Sequence, residues 1–137
     1  MRRMSRRCIP FTPFEGRLED SIVALVSNAG VYHRGQEPFN LEGDTTLRII
    51  PGDARAEDLS IAHAHYDHSD ADKDINCVFP IDRLRELAGK GIIRGLAERH
   101  IGLGWSLDLK TIYEETAPQV GDLIERSDAD LVLLTGG

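Results

Sequence analysis

Short apolar runs separated by polar turns dominate this chain, and helical periodicity occurs only twice. Ser21-Ile22-Val23-Ala24-Leu25-Val26-Ser27 is continuously apolar and rich in β-branched residues, the pattern of a strand buried on both faces, as in a parallel sheet. Asn28-Ala29-Gly30 breaks it as a turn, and in α/β folds such a strand-to-loop junction opens onto the ligand crevice. Thr45 to Ile50 alternates and closes at Pro51-Gly52-Asp53, which predicts a second strand, and Leu59 to His63 predicts a short third. Asn76-Cys77-Val78-Phe79 is apolar and stops at Pro80. Ile81, Leu84, Leu87 and Ala88 then recur at helical spacing, with Pro80 setting the first turn and Gly89 or Gly91 able to end it. Ile92 to Leu96 predicts a short strand leading to the bend Gly102-Leu103-Gly104-Trp105, read as turn glycines and a core tryptophan. A second helical pattern runs from Leu107 to Ile124 with Pro118 inside it. An interior proline costs roughly 3 kcal/mol, so this is a kinked helix or two short ones. Asp130 to Thr135 is a final apolar strand, followed by Gly136-Gly137.

The sum is an α/β protein with a mainly parallel sheet and flanking helices, a Rossmann-like three-layer arrangement. Residues 1–20 read as an extended, basic and Pro-rich lead-in, and residues 21–137 as a single domain. An apolar strand running into a glycine pair is how an α/β unit presents a functional loop, with a helix next. No helix pattern comes after it here, so the domain reads as incomplete. No GxGxxG is present, and no nucleotide or flavin motif accompanies the strands.

Composition and charge narrow the partners. The chain has 137 residues, is 41% hydrophobic and carries a net charge of −7, which suits a globular fold. Arg2, Arg3, Arg6 and Arg7 concentrate four of the sixteen basic residues at the start, leaving 12 against 23 acidic ones. A body that acidic repels phosphate backbones, which argues against nucleic acid as a partner. Ser5-Arg6-Arg7-Cys8-Ile9 has the outline of a twin-arginine export signal, but Pro10, Pro13, Glu15 and Arg17 interrupt the apolar stretch such a signal needs. No segment approaches the roughly 20 apolar residues of a membrane span. Cys8 and Cys77 form no CxxC pair, and a cytoplasmic location is expected.

Candidate chemistry is concentrated in His63-Ala-His65-Tyr-Asp67-His68-Ser-Asp70-Ala-Asp72-Lys-Asp74, which holds three of the five histidines. A group of imidazoles and carboxylates this dense at a strand end needs an ion, a substrate or water to satisfy it. His63, His65, Asp67 and His68 also satisfy HxHxDH, the zinc signature of the metallo-β-lactamase superfamily. Against zinc, the only later histidine is His100, the customary glycines after the motif are replaced, and that fold is larger than this chain. The zinc hydrolase reading and a non-catalytic module that binds a small molecule or another subunit stay as alternatives. Asp70, Asp72 and Asp74 read as residues that order the loop or cap the next element.

The longer run Ala64-His65-Tyr66-Asp67…Asp70-Ala71-Asp72-Lys73-Asp74-Ile75-Asn76-Cys77-Val78-Phe79-Pro80-Ile81-Asp82-Arg83-Leu84-Arg85-Glu86-Leu87 resembles the selenoprotein B component of glycine, sarcosine, betaine and D-proline reductases. Val23 to Val31, Glu37-Pro38-Phe39-Asn40, Gly43-Asp44, Arg48 to Pro51, Thr116-Ala117-Pro118 and Asp128 to Thr135 extend the similarity from about Phe11 to the end. The resemblance implies reductive cleavage of the C–N bond of a small amino acid or betaine, inside a multi-subunit complex. A pyruvoyl-type carbonyl on a partner subunit activates the amine, a selenolate displaces nitrogen, and a thiol- or selenol-bearing protein resolves the product. By position, His63, His65, Asp67 and His68 are expected to face the crevice at the strands' carboxyl ends, where Asp67 and the histidines would bind the substrate amine or its imine and manage its protons; Arg48 is a candidate to pair with a substrate carboxylate, and Asn76 a candidate to bind substrate or to order the loop. The family's selenocysteine comes after a strand like Leu133-Leu134-Thr135, so it is expected beyond Gly137. Neither Cys8 nor Cys77 matches it, and the chain as given holds no cofactor of its own and should not turn over substrate alone.

Overall fold

The computed structural model describes residues 13–137, so the arginine-rich start, with Cys8 and the export-signal outline, lies outside the described residues. The strands are β1 (Ile22–Ser27), β2 (Val31–His33), β3 (Leu47–Pro51), β4 (Leu59–Ile61), β5 (Gly95–Leu96), β6 (Arg99–Leu103) and β7 (Leu131–Thr135). The helices are α1 (Ile81–Gly89), α2 (Leu109–Thr111) and α3 (Ala117–Glu125), with a π-helical turn, Ile112–Thr116, joining α2 to α3. Of the lead-in, Leu18–Asp20 forms one short 3-10 turn.

β1 is the centre of the main sheet because it is apolar on both faces, and five of its six residues are buried. β7 pairs with it in parallel along Val23 to Ser27. β5 and β6 are also parallel to β1, at Ile22–Val23 and at Val26–Ser27, so they succeed one another along its opposite edge. β3 then lies antiparallel to β6, from Leu47 opposite Leu103 to Pro51 opposite Arg99. Pro51, which has no N–H to donate, ends this edge strand. β2 and β4 form a separate antiparallel pair packed beside β3 and β6. The expectation of a mainly parallel, three-layer Rossmann-like sheet therefore gives way to an α/β fold with a mixed sheet and few helices. β2 and β6 are too short or too glycine-rich to carry a strand pattern of their own, and the expected bend glycine Gly102 lies within β6.

Pro118 lies in the first turn of α3, and helical backbone runs on without a gap from α2 through the π turn to Glu125, a π turn being one way a helix accommodates an irregularity. Phe79, Leu25, Ile50, Leu59, Ile81 and Val31 are the large apolar side chains buried completely at the centre.

Two buried polar groups hold this centre in register. The carbonyl oxygen of Val78, in the segment before α1, accepts from Ser27 Oγ at 3.1 Å and from Thr135 Oγ1 at 2.7 Å, so the ends of β1 and β7 hang on one acceptor. His100 serves the other edge. Between Val23 and Val26, β1 advances three residues while its neighbour advances from Leu96 to Ile101, and the surplus bulges away. The imidazole fills the gap: His100 Nδ1 accepts from the Leu25 N–H at 3.0 Å. That fixes the proton on Nε2, which is buried without a partner among the described residues; the imidazole stands nearly perpendicular to the Phe79 ring, with centroids 6.0 Å apart. Burial, then the nearby Arg85 charge, push the His100 pKa down to about 4, while Asp128 opposes them.

Ser27→Ala should lower stability by about 1–2 kcal/mol, since it also strands part of a buried carbonyl's bonding; urea denaturation at neutral pH measures this. His100 contributes a separate pH signature. Its folded pKa lies below the ordinary value of 6.5, so the unfolded chain takes up the proton first and stability falls as pH drops from about 6.5 towards 4, by up to roughly 3 kcal/mol. The urea midpoint should track that window in the parent protein and flatten in His100→Asn, whose amide oxygen can accept without titrating.

Candidate functional site

β1, β6 and β7 run parallel, so their carboxyl ends open on one side of the sheet, where α/β proteins bind ligands. Three short segments leave from there: Asn28-Ala29-Gly30, Gly104-Trp105 and Gly136-Gly137. The histidine–aspartate turn crosses over the first. β4 stops at Ile61, two residues earlier than expected, because Ala62 turns to donate its N–H to the Gly30 carbonyl at 2.9 Å. Gly30 in turn donates to the Leu103 carbonyl at 3.0 Å and has φ +74°. A Cβ at this position would strike the Ala62 carbonyl and lie 3.0 Å from His63 Cβ. The crossing thus requires glycine both for its backbone angle and for its clearance.

Each histidine of the turn has a different tether. His63 is buried, and its Nδ1 accepts from the His65 N–H at 3.1 Å, which leaves Nε2 as its donor. Burial, then the neighbouring His65 and His68, lower its pKa. The His65 ring stacks on Trp105 with centroids 3.4 Å apart and planes 24° apart. His68 Nδ1 lies 2.8 Å from Asp72 Oδ2. Asp67 accepts from the Ser69 N–H at 3.0 Å, and the backbone and then the side chain of Ser69 hold its carboxyl below the usual range. Asp70 bridges Lys73 at 2.8 Å on the surface, while its carbonyl accepts from Lys73 and Asp74 and so winds the turn. Buried Ala71 anchors that turn in the core.

The other two predicted residues sit elsewhere. Arg48 lies over the Phe39 ring at 4.4 Å and is bound to the Glu37 carbonyl at 2.8 Å, to Thr46 Oγ1 at 2.6 Å and to Asp44 at 3.6 Å. Its guanidinium is taken up by its own loop. Asn76 bonds Asp74 Oδ1 at 2.8 Å and receives the Asp82 N–H at 3.0 Å, so it ties the end of the turn to the start of α1. Asp74 accepts from the Asn76 N–H as well, and Asn76 lowers its pKa.

Tyr66 and Trp105 join the site although the sequence assigned neither a role in it, and so does Asn28, from the junction expected to open onto the crevice. The Tyr66 hydroxyl donates to the Ala29 carbonyl at 3.0 Å, and burial, then the Asp72 charge, raise its pKa so that it keeps this proton. Its ring lies edge-on to His63 at 4.7 Å and to His68 at 5.6 Å. The segment after β7 passes directly over it. A Cβ on Gly137 would fall 2.5 Å from the Tyr66 ring, and one on Gly136 would fall 3.0 Å from Asn28 Oδ1. The glycine pair therefore threads between Asn28 and Tyr66, beside the histidines. Trp105, expected to be a core residue, is half-buried and supports His65. The signal for it was the Gly104-Trp105 pair ending a strand, which only the parallel pairing of β6 with β1 turns into a site.

A zinc centre finds no support in this arrangement. Among the described residues no three His, Cys, Asp or Glu side chains converge as a metal-binding group, because each imidazole is drawn to a different neighbour. Gly30→Ala should cost at least about 2 kcal/mol from the left-handed backbone and the collision, and should change Trp105 fluorescence as the His65 stack loosens; urea denaturation followed by that fluorescence measures both.

Residues 9–136 match the family model for glycine/sarcosine/betaine reductase selenoprotein B. The chain is 45% identical over 128 residues to D-proline reductase subunit gamma of Acetoanaerobium sticklandii, covering 93% of this chain and 53% of that one. It is 27% identical over 136 residues to the glycine reductase complex component B subunit gamma of Symbiobacterium thermophilum, covering 93% of this chain and 31% of that one. The chain thus spans about half or less of the length of these relatives. No solved structure matches it. Among the described residues no helix is long and apolar enough to cross a membrane.

Proposed function

Because the chain belongs to the glycine/sarcosine/betaine reductase selenoprotein B family, we propose that it forms the proton-handling wall of a reductase pocket that cleaves the Cα–N bond of a small amino acid. The observation that carries this reading is the passage of Gly136-Gly137 between Asn28 and Tyr66, next to His63, His65 and His68. In this reading a selenolate on the segment after β7 attacks the α-carbon from that side. The Cα–Se bond forms as the Cα–N bond breaks, and nitrogen leaves with the electron pair and takes a proton. A thiol-bearing partner protein then attacks selenium, the α-carbon leaves selenium with a proton, and the chalcogen–sulfur bond formed is reduced by a further dithiol. A carbonyl on another subunit prepares the amine for departure.

The wall's own residues supply the protons and the positioning. His63, neutral at pH 7 and with Nδ1 already engaged, offers an Nε2–H donor. The ionised Asp67 attracts the substrate ammonium or its imine, and the His68–Asp72 pair can pass a proton to departing nitrogen. Among substrates we infer D-proline, on the 45% identity with the D-proline reductase subunit against 27% with the glycine reductase one. Opening the ring at Cα–N would yield 5-aminopentanoate.

In an assembled, selenium-containing reductase carrying this chain, Asp67→Ala, which removes the charge that attracts the amine, and His68→Ala, which removes a proton donor, should each lower D-proline turnover by about 100-fold or more, with circular dichroism unchanged. Product analysis by mass spectrometry reads the outcome. Turnover at parental rates would sink the assignment, and turnover of glycine in place of D-proline would sink the substrate.

A further inference from the structure

A bound amino acid needs a partner for its carboxylate as well as for its nitrogen, and Arg48, expected to take the carboxylate, is not free to do so. Its guanidinium is engaged by the Glu37 carbonyl, Thr46 Oγ1, Asp44 and the face of Phe39. Most donors of the histidine–aspartate turn are engaged too. The Tyr66 hydroxyl is on the Ala29 carbonyl, His68 Nδ1 is beside Asp72, and His63 has one nitrogen occupied. His65 differs. Its side chain is exposed, and among the described residues neither of its ring nitrogens is bonded to the protein, the ring being held by its face on Trp105 and standing edge-on to His63.

A stack engages the face of an imidazole and leaves its edge, with both nitrogens, unoccupied. Trp105 is itself well fixed. Its carbonyl accepts from the Asp44 N–H at 2.7 Å, and Gly104 fits so closely against Phe39 that a Cβ there would lie 2.8 Å from the ring. Arg48 braces both Phe39 and Asp44. The arginine thus steadies the loop that steadies the tryptophan, and the tryptophan holds the histidine.

We propose that His65 is the carboxylate anchor of the pocket, donating a ring N–H to the carboxylate of an α-amino acid, with Trp105 as the positioning residue that keeps the imidazole edge available. The inference rests on the pocket reading given above and deepens it: Asp67 attracts the nitrogen, and His65 takes the other charged group of the same substrate. An imidazole has an N–H to donate in either protonation state, and a hydrogen bond to an ionised acceptor is among the strong ones. The carboxylate keeps its charge while the Cα–N bond breaks, so this contact acts on binding rather than on the chemical step.

The test uses the assembled, selenium-containing reductase. His65→Ala should raise KM for D-proline about tenfold or more while kcat stays within about twofold, the pattern of lost uniform binding. His65→Gln, whose amide can still donate, should recover most of the affinity. Trp105→Leu should raise KM in the same way, and Trp105→Phe, which can still stack, should restore it. Calorimetry without reductant supplies a second readout. Cyclopentanecarboxylate, which has the substrate's ring and carboxylate but no nitrogen, should bind the parental complex at least tenfold more tightly than cyclopentanecarboxamide, and His65→Ala should erase that preference. Three results overturn the proposal: a KM unchanged in His65→Ala, a fall in kcat with KM unchanged, or a parental complex that does not prefer the carboxylate to the carboxamide. The calorimetric comparison involves no C–N cleavage, so its outcome is separate from the turnover of Asp67→Ala and His68→Ala, which tests the pocket's chemistry.

Discussion

The carbonyl of Val78 is the point on which this structure depends. It lies at the end of the segment that carries the histidine–aspartate turn, and it accepts hydroxyl protons from Ser27 at the end of β1 and Thr135 at the end of β7. A buried carbonyl has two lone pairs and is costly to leave unpaired, so the two strand ends and the turn hold a common height. If either hydroxyl were absent, the glycine pair after β7 would lose its fixed approach to Tyr66. Local packing reinforces this: Phe79, the next residue, is fully buried, so the acceptor cannot drift.

A second constraint acts from the opposite side. The Gly30 crossing brings Ala62 and His63 onto the Asn28–Gly30 segment, and the Tyr66 hydroxyl closes the same loop through the Ala29 carbonyl. The turn is thereby tied to the loop after β1 at two points of its polar stretch. Its carboxylates can stay exposed because the backbone beneath them is already satisfied: Asp67 caps Ser69, Asp74 caps Asn76, and Asp70 carries two N–H groups on its carbonyl. The geometry of these groups is therefore set by the turn's own backbone.

Much of this was legible in the sequence, and the misses share a cause. The continuous apolar runs at Ile22–Ser27 and Leu131–Thr135 declare strands of the main sheet, and Ile81, Leu84 and Leu87 declare α1. Arrangement is another matter. Pairing direction depends on contacts between distant segments, so the antiparallel β3 and the β2–β4 pair had no local signature. His100, noted in the sequence only as the one histidine after the cluster, gains its role where the bulge between Leu96 and Arg99 gives it a backbone N–H to receive. The clustered His63, His65, Asp67 and His68 could be seen at once, whereas their separation from one another could not. Stacking of His65 on Trp105 and pairing of His68 with Asp72 are set by the folded conformation. Arg48 shows the converse, a residue whose chemistry suits a carboxylate but whose loop consumes its donors.

Separation of the imidazoles also has a chemical consequence. Three histidines converging on one point would share a cation or repel one another on protonation. Spread over His63 in the interior, His65 on Trp105 and His68 beside Asp72, they present three electrostatic environments within one short turn. Burial keeps His63 neutral, as its lowered pKa requires, while His68 keeps a carboxylate within hydrogen-bond reach as a proton partner. A pocket that must receive a proton on one atom and deliver it to another needs groups in unequal surroundings. The turn acquires that inequality from packing alone.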